Sequence, residues 1–502
     1  LREIEALMKL PIVFAMRSLP ARMLRCGREF PWLHRTAGLV AAAIGAALLA
    51  GSATGVVAQT SAPGALPTFE RTLDNGMKIV VREDRRAPVA VSMVWYRVGS
   101  VDEVSGTTGL AHVVEHMMFR GTRRRPDGEF SRLVAEIGGR DNAFVSRDFT
   151  AFHQQVHRMH LPLLLELEAD RMVNLTLSAD AFAKEMQVVM EERRWRTDDR
   201  PRALLAERLW ATAFRAHPYR HPVIGWMSDL ESMTVEDARD FYRRWYAPNN
   251  ATLVVVGDVD ADEVFRLAAQ RFGPIPARPL PRRRAQTEPP QNGIQRVTLQ
   301  APAQLGFGLF GWHAPALRPG SADWEPLALE LLEWVLGGNE SARLPRALVR
   351  DARVASSVDV RYEPAVRGPG FFVIGAAPAE GRSVAEIESV LRATLARLVR
   401  DGVDAEELDR ARAQMAAQQV FSRDSAFFQA NQIGRFEKVG LGWRGAEQML
   451  ERIRAISAAQ VREVAARVLV DERLTVAVLE PQPHALPKKP PAGPPPGLRH
   501  VD

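Results

Sequence analysis

The sequence has almost no thiol chemistry to offer: one cysteine, Cys26, in 502 residues. It stands in an N-terminal stretch that reads as a removable signal and lacks a lipobox-like context. The remaining chain has no thiol, which excludes disulfides and cysteine metal ligands. Net charge is also in short supply. Residues 1–35 carry seven Lys/Arg against three Glu, and residues 36–58 carry no charge, so without them the formal +6 of the whole chain falls to about +2. Two local basic clusters remain, Arg123-Arg124-Arg125 and Arg282-Arg283-Arg284. Both sit near Pro and Gly, with no aromatic residues interleaved. They read as solvated loops, and nucleic acid is not an expected partner.

The N-terminal stretch orders a basic region, an uncharged region rich in Ala, Leu and Gly, and the small-residue end Val56-Val57-Ala58. That is the pattern of a secretory signal peptide over residues 1–58, cleaved before Gln59, which places the mature protein in the periplasm or outside the cell with no stable membrane anchor. Leu1 is not a usual initiator, and a start at Met8, Met16 or Met23 gives a more ordinary signal length. An uncleaved anchor and a mitochondrial presequence are the rivals. The second should form an amphipathic basic helix, whereas here a continuous apolar block follows the charges.

About 440 residues remain, enough for two domains of ordinary size. Pro274-Ile275-Pro276, Pro279, Pro281 and Pro289-Pro290 mark a Pro/Arg-rich linker over residues 274–293, which should neither continue a helix nor enter a sheet. A second Pro-rich segment, 483–502, reads as a disordered tail. The halves on either side of the linker look like copies. Each closes on an amphipathic helix, Val235 to Tyr246 and Ala458 to Val468, followed by an apolar strand, Thr252 to Asp258 and Leu474 to Glu480. Lys78 to Val81 and Val89 to Tyr96 read as further strands, and Leu161 to Asn174 as a helix.

One stretch of the first half carries chemistry. In Gly109-Leu110-Ala111-His112-Val113-Val114-Glu115-His116-Met117-Met118-Phe119, two histidines four apart project from one helical face, the spacing that lets two nitrogens bind one zinc ion. Glu115 can reach a metal-held water without being a ligand, as a general base must. The order H-x-x-E-H is the reverse of the commoner H-E-x-x-H, and both are zinc-peptidase arrangements. A catalytic zinc takes a third protein ligand. The helix Ala181 to Arg193 offers Glu185 and Glu192, seven apart on one face, and Glu191, turned about 100° from Glu192.

With 75 residues between His116 and Glu192, this pairing resembles the pitrilysin or insulinase-type metallopeptidases, a family that includes the mitochondrial processing peptidase. The resemblance spans most of residues 67–482. It implies an α+β fold of two tandem homologous domains, each a mostly antiparallel sheet covered by helices. Residues 67–273 are then the catalytic zinc peptidase domain and residues 294–482 a domain without a metal. The resemblance also implies one Zn2+ per chain on His112, His116 and Glu192, with Glu115 as base and Glu185 as a second glutamate needed for activity.

The substrate implied is a peptide. Gly138-Gly139-Arg140-Asp141-Asn142-Ala143 reads as a turn entering a strand, and relatives pair the equivalent edge strand with an extended substrate, which makes Asn142 and Ala143 candidate contacts. The second half offers Glu330 and Glu333 but no histidine where a repeat would place the motif, so it reads as a wall of the substrate chamber. Arg350 matches an arginine that stabilises the oxyanion in relatives. The tyrosine expected seven residues on is Ser357, so either Tyr362 or a partner subunit supplies that donor, or the site is slower. Zinc-dependent endopeptidase activity is the expected function. The alternatives are a non-catalytic subunit, or a catalytic one that acts as a homodimer or beside a motif-less paralogue.

Overall fold

The computed structural model describes residues 66–482; the signal-like segment 1–58 and the tail 483–502 lie outside the described residues. The first half supplies β1 (Thr68–Thr72), β2 (Lys78–Glu83), β3 (Val89–Tyr96), β4 (Arg140–Val145), β5 (Thr150–His157) and β6 (Ala251–Gly257). They form one sheet in the order β1-β2-β6-β3-β5-β4. The second half supplies β7 (Gln295–Pro302), β8 (Phe307–Ala314), β9 (Ala355–Tyr362), β10 (Gly370–Pro378) and β11 (Leu474–Gln482), in the order β7-β11-β8-β10-β9.

Leaving β1 aside, the two orders are the same. In each, the last strand runs parallel to the first, with Lys78 opposite Thr252 and Gln295 opposite Thr475, and every other ladder is antiparallel. The α+β fold with mostly antiparallel, helix-covered sheets is therefore as expected. β6 is buried along its whole length, because a central strand covered on both faces must be apolar at every position. β1 was not legible beforehand: it is a five-residue polar edge strand with an exposed end, and nothing in its composition marks it.

The sheet faces are where the halves join. One face of the first sheet packs Ile79, Val81, Val94, Tyr96, Phe152 and Leu253 against first-half helices, including Leu110–Met117 and Ala179–Arg193. The other face, with Val80, Met93, Trp95 and Val254, packs against Ala430 and Ile433 of Ala426–Val439, a helix of the second half. The exchange is reciprocal. Leu205 and Leu209 of the first-half helix Pro201–Ala213 pack on Leu299, Leu309, Phe371 and Leu479 of the second sheet. At Gly434 the helix backbone lies so close to the Trp95 side chain that a Cβ would fall 2.1 Å from the indole.

The Pro/Arg-rich stretch has no regular structure over residues 276–292 but is fastened down. Arg283 Nε donates to Asp102 Oδ1 at 2.7 Å, and its guanidinium lies 4.4 Å from the Trp245 ring centre. Arg283 thus departs from the solvated-loop expectation, because the buried Asp102 carboxylate offers its oxygens to two arginines, Arg283 and Arg367. Arg125 departs from it too, paired with Glu166 at 2.8 Å. No helix among the described residues is long and apolar enough to cross a membrane.

Candidate metal centre

The histidine helix, Leu110–Met117, is buried at every residue, and its start is built to match. Helix N-termini leave backbone N–H groups without partners. Here the buried Glu103 carboxylate accepts from Gly109 N at 2.9 Å and from Ala111 N at 2.7 Å. Gly109 has φ +89°, and a Cβ there would fall 2.6 Å from the Ile224 carbonyl oxygen, so glycine is needed both for conformation and for space. The segment around Ile224 and Gly225 therefore buttresses the helix. The neighbouring histidines do local work: His217 Nδ1 accepts from Tyr219 N at 3.2 Å, and His221 Nδ1 from Trp226 Nε1 at 3.4 Å.

The glutamate helix, Ala179–Arg193, starts at Ser178, whose side chain accepts from Ala181 N at 3.2 Å. Its far end is tied to the same buttress, since Arg193 NH1 donates to the Gly225 carbonyl at 2.7 Å and pairs with Glu207 at 2.9 Å. A π-helical turn, Arg194–Asp198, follows directly.

These two helices bring His112, His116, Glu185 and Glu192 together. Glu192 Oε2 lies 3.3 Å from His116 Nε2 and 3.6 Å from His112 Nε2. One donor atom from each of these three buried residues falls within 4.8 Å of the others. Two donors about 2.0–2.1 Å from one tetrahedral zinc ion are themselves about 3.3 Å apart, so the spacing fits the ion. Glu185 Oε2 lies 3.1 Å from His116 Nδ1; with a proton on Nδ1 the ring donates to Glu185 and turns the Nε2 lone pair towards Glu192. A lone pair facing a carboxylate needs a cation between them, either a proton or a metal.

The electrostatics say where a proton would go. Burial by itself would lower the proton affinity of His116, but Glu185 and Glu192 outweigh it and raise the pKa to about 9. Burial, reinforced by His116, drives His112 down to about 3. Burial by itself would raise Glu192, yet His116, His112 and Arg196 bring it down to about 2. On these directions a metal held by the cluster would displace the proton that His116 carries.

Adjacent glutamates part company. Glu192 is fully buried, whereas the Glu191 side chain is 59% exposed and paired with Arg194. Glu115 is 2% exposed on the histidine helix and close enough to Tyr246 to raise its hydroxyl pKa, after the larger effect of burial. Asn142 and Ala143 lie on β4, the last strand of its sheet, where Ala143 N donates to Asn142 Oδ1 at 2.9 Å. Ala143 shares a core with Val113 and Met117 of the histidine helix.

Arg350 sits exposed in a π-helical turn, Pro345–Asp351, and no contact joins it to the cluster among the described residues. Ser357 is exposed on β9. Tyr362 is buried, and its hydroxyl donates to the Pro315 carbonyl at 2.5 Å.

Three residues near the cluster were not picked out from the sequence. Arg120 NH2 lies 2.5 Å from Glu185 Oε1, Arg196 NH1 lies 2.7 Å from Glu192 Oε1, and Glu103 holds the helix start. The arginines had a signal, since each lies four residues after a cluster member, His116 or Glu192.

Residues 78–225 match the family described as insulinase, peptidase family M16, and residues 232–415 match the domain described as peptidase M16 inactive domain. The chain is 32% identical over 369 residues to the zinc protease PqqE of Helicobacter pylori, an alignment covering 72% of this chain and 81% of that protein. The chain belongs to peptidase family M16. It is also 25% identical over 427 residues to the mitochondrial-processing peptidase subunit beta of Lentinula edodes, covering 81% and 88% of the two. Among solved structures, that of a protease from Helicobacter pylori matches with a TM-score of 0.79 at 29% identity, over 83% of this chain and 100% of the other. In this M16 chain the histidine and glutamate helices both fall within the first matched region. The inactive-domain region contains the helix Glu325–Gly337, which carries Glu330 and Glu333 and no histidine.

Proposed function

We propose that this M16 chain is a zinc-dependent endopeptidase that hydrolyses peptides or unfolded protein segments. The observation that carries the reading is the single buried oxygen of Glu192 facing two imidazole nitrogens at 3.3 and 3.6 Å. His112, His116 and Glu192 would hold one zinc ion, and Glu185 would orient His116 through Nδ1. Bound there, zinc supplies Lewis acidity, which polarises a peptide carbonyl and makes water a better nucleophile near neutral pH. Glu115 takes the proton of the attacking water and passes it to the leaving amine. An extended peptide adds to the open edge of β4 beside Asn142 and Ala143, with backbone hydrogen bonds setting its register. Arg350 is a further proposed contact, for the substrate carbonyl. The signal-like residues 1–58 favour a periplasmic or secreted enzyme.

A second reading has its own support. With Ser357 in the place of the expected tyrosine and the Tyr362 hydroxyl committed to Pro315, a donor for the oxyanion is missing from this pair of positions. A partner subunit, either a second copy or a motif-less paralogue, would supply it.

Zinc content and activity on a mixed peptide library, measured on the chain alone and then with candidate partners, test both readings. Glu115→Gln keeps the volume but cannot take a proton, so it should retain zinc and lose about 10²–10⁴-fold in kcat. Full activity in a zinc-loaded Glu115→Gln protein would refute the mechanism.

A further inference from the structure

The two glutamates of the cluster share a pattern: one oxygen of each faces a histidine, and the other is held by an arginine. Glu185 Oε2 lies 3.1 Å from His116 Nδ1, while Glu185 Oε1 lies 2.5 Å from Arg120. Glu192 Oε2 faces both Nε2 atoms, while Glu192 Oε1 accepts from Arg196 NH1 at 2.7 Å. The Glu192 side chain is fully buried and that of Arg196 is 25% exposed, so the guanidinium closes the cluster on the outer side. An unpartnered carboxylate oxygen at that depth would be costly, and the arginine offsets the cost.

Arg196 also comes from an unusual piece of backbone. It lies in the π-helical turn Arg194–Asp198, immediately after the glutamate helix. Such turns are rare and are frequently found at functional sites.

A carboxylate can give a metal ion one oxygen or two, and the second oxygen would take a coordination position that a catalytic site must keep open for water. We propose that Arg196 is a positioning residue that restricts Glu192 to its one inward oxygen, so that the centre formed with His112 and His116 keeps that position open. The proposal rests on the reading of this cluster as a metal centre.

The test uses the full chain loaded with Co2+ in place of zinc, whose visible absorption is strong with four ligands and weak with five. Arg196→Met should keep one metal per chain, lose absorption intensity, and fall about 10–100-fold in kcat with KM changed less than about twofold. Its affinity for Zn2+ should equal or exceed that of the wild type, because a cation has been removed and a ligand oxygen freed. Arg196→Lys, which can still pair with Oε1, should keep the wild-type spectrum and lie within about tenfold of its kcat. If the Met variant does not fold, Arg196→Gln, a neutral donor to the same oxygen, takes its place beside the Lys variant and should also keep the spectrum.

Unchanged absorption in a folded, slow Arg196→Met protein would overturn the proposal. So would loss of metal in step with loss of activity, or Lys and Gln variants whose spectra change like that of Met. A wild-type chain that binds neither Zn2+ nor Co2+ would overturn the metal reading itself. A wild type that binds both, beside an unaltered Met variant, would overturn the role of Arg196 alone.

Discussion

The pH dependence of metal binding gives the most direct check on the cluster. His116 is raised to about 9 by Glu185 and Glu192 against the effect of burial, whereas His112 lies at about 3 and Glu192 at about 2. Between pH 5.5 and 6.5 the metal-free cluster then holds one proton to be displaced, and the affinity for Zn2+ should rise about tenfold, or about 1.4 kcal/mol. Two ordinary imidazoles with a pKa near 6.5 would give about thirtyfold over the same interval, since each loses its proton there. The window lies below the region where zinc-held water ionises. Competition titration against a chelator of known pH dependence measures the slope, and calorimetry in two buffers counts the protons released. A thirtyfold rise, or close to two protons per zinc at the acid end of that interval, would refute the arrangement of charges. The metal-free protein should show the same shift as stability: a group raised in the folded state stabilises most below its unfolded value of 6.5. That contribution should fade as pH rises from 6.5 through 9, and zinc should abolish the dependence.

Glu192→Gln should lose zinc and activity together, Glu185→Gln should lose mainly activity, and Glu191→Gln, altering an exposed side chain paired with Arg194, should lose little of either; metal analysis with peptide hydrolysis separates the three. Gly434→Ala puts a Cβ 2.1 Å from the Trp95 ring and should cost about 1–3 kcal/mol in denaturant unfolding, with part recovered when Trp95→Leu is added. Arg367→Met removes a bidentate partner at 2.8 and 3.0 Å from the buried Asp102 carboxylate and leaves Arg283 as its paired arginine, beside the Gly99 N–H. A loss of about 3 kcal/mol is expected in the same assay, and a loss below about 1 kcal/mol would show that Arg283 suffices.

What the sequence determined by itself was local and periodic. His112 and His116 four apart, and Glu185 and Glu192 seven apart, share helical faces whatever surrounds them, because 3.6 residues make a turn. The apolar, β-branched runs at Val89–Tyr96 and Thr252–Gly257 read as covered strands, and the linker prolines as an interruption. Periodicity alone does not tell which of Glu191 and Glu192 is covered; packing buries Glu192 and leaves Glu191 in solvent. Arg120 and Arg196 stood at visible spacings, but which carboxylate oxygen each would hold depends on how two helices far apart in sequence meet. The exchange of helices was beyond local reading. Leu205 and Leu209 make an apolar stripe that fits either of two sheets of the same topology. Only the assembled chain shows that Pro201–Ala213 covers the second sheet while Ala426–Val439 covers the first, with Gly434 packed against Trp95. Periodicity fixes which face of an element is apolar; shape complementarity between distant elements fixes what that face meets.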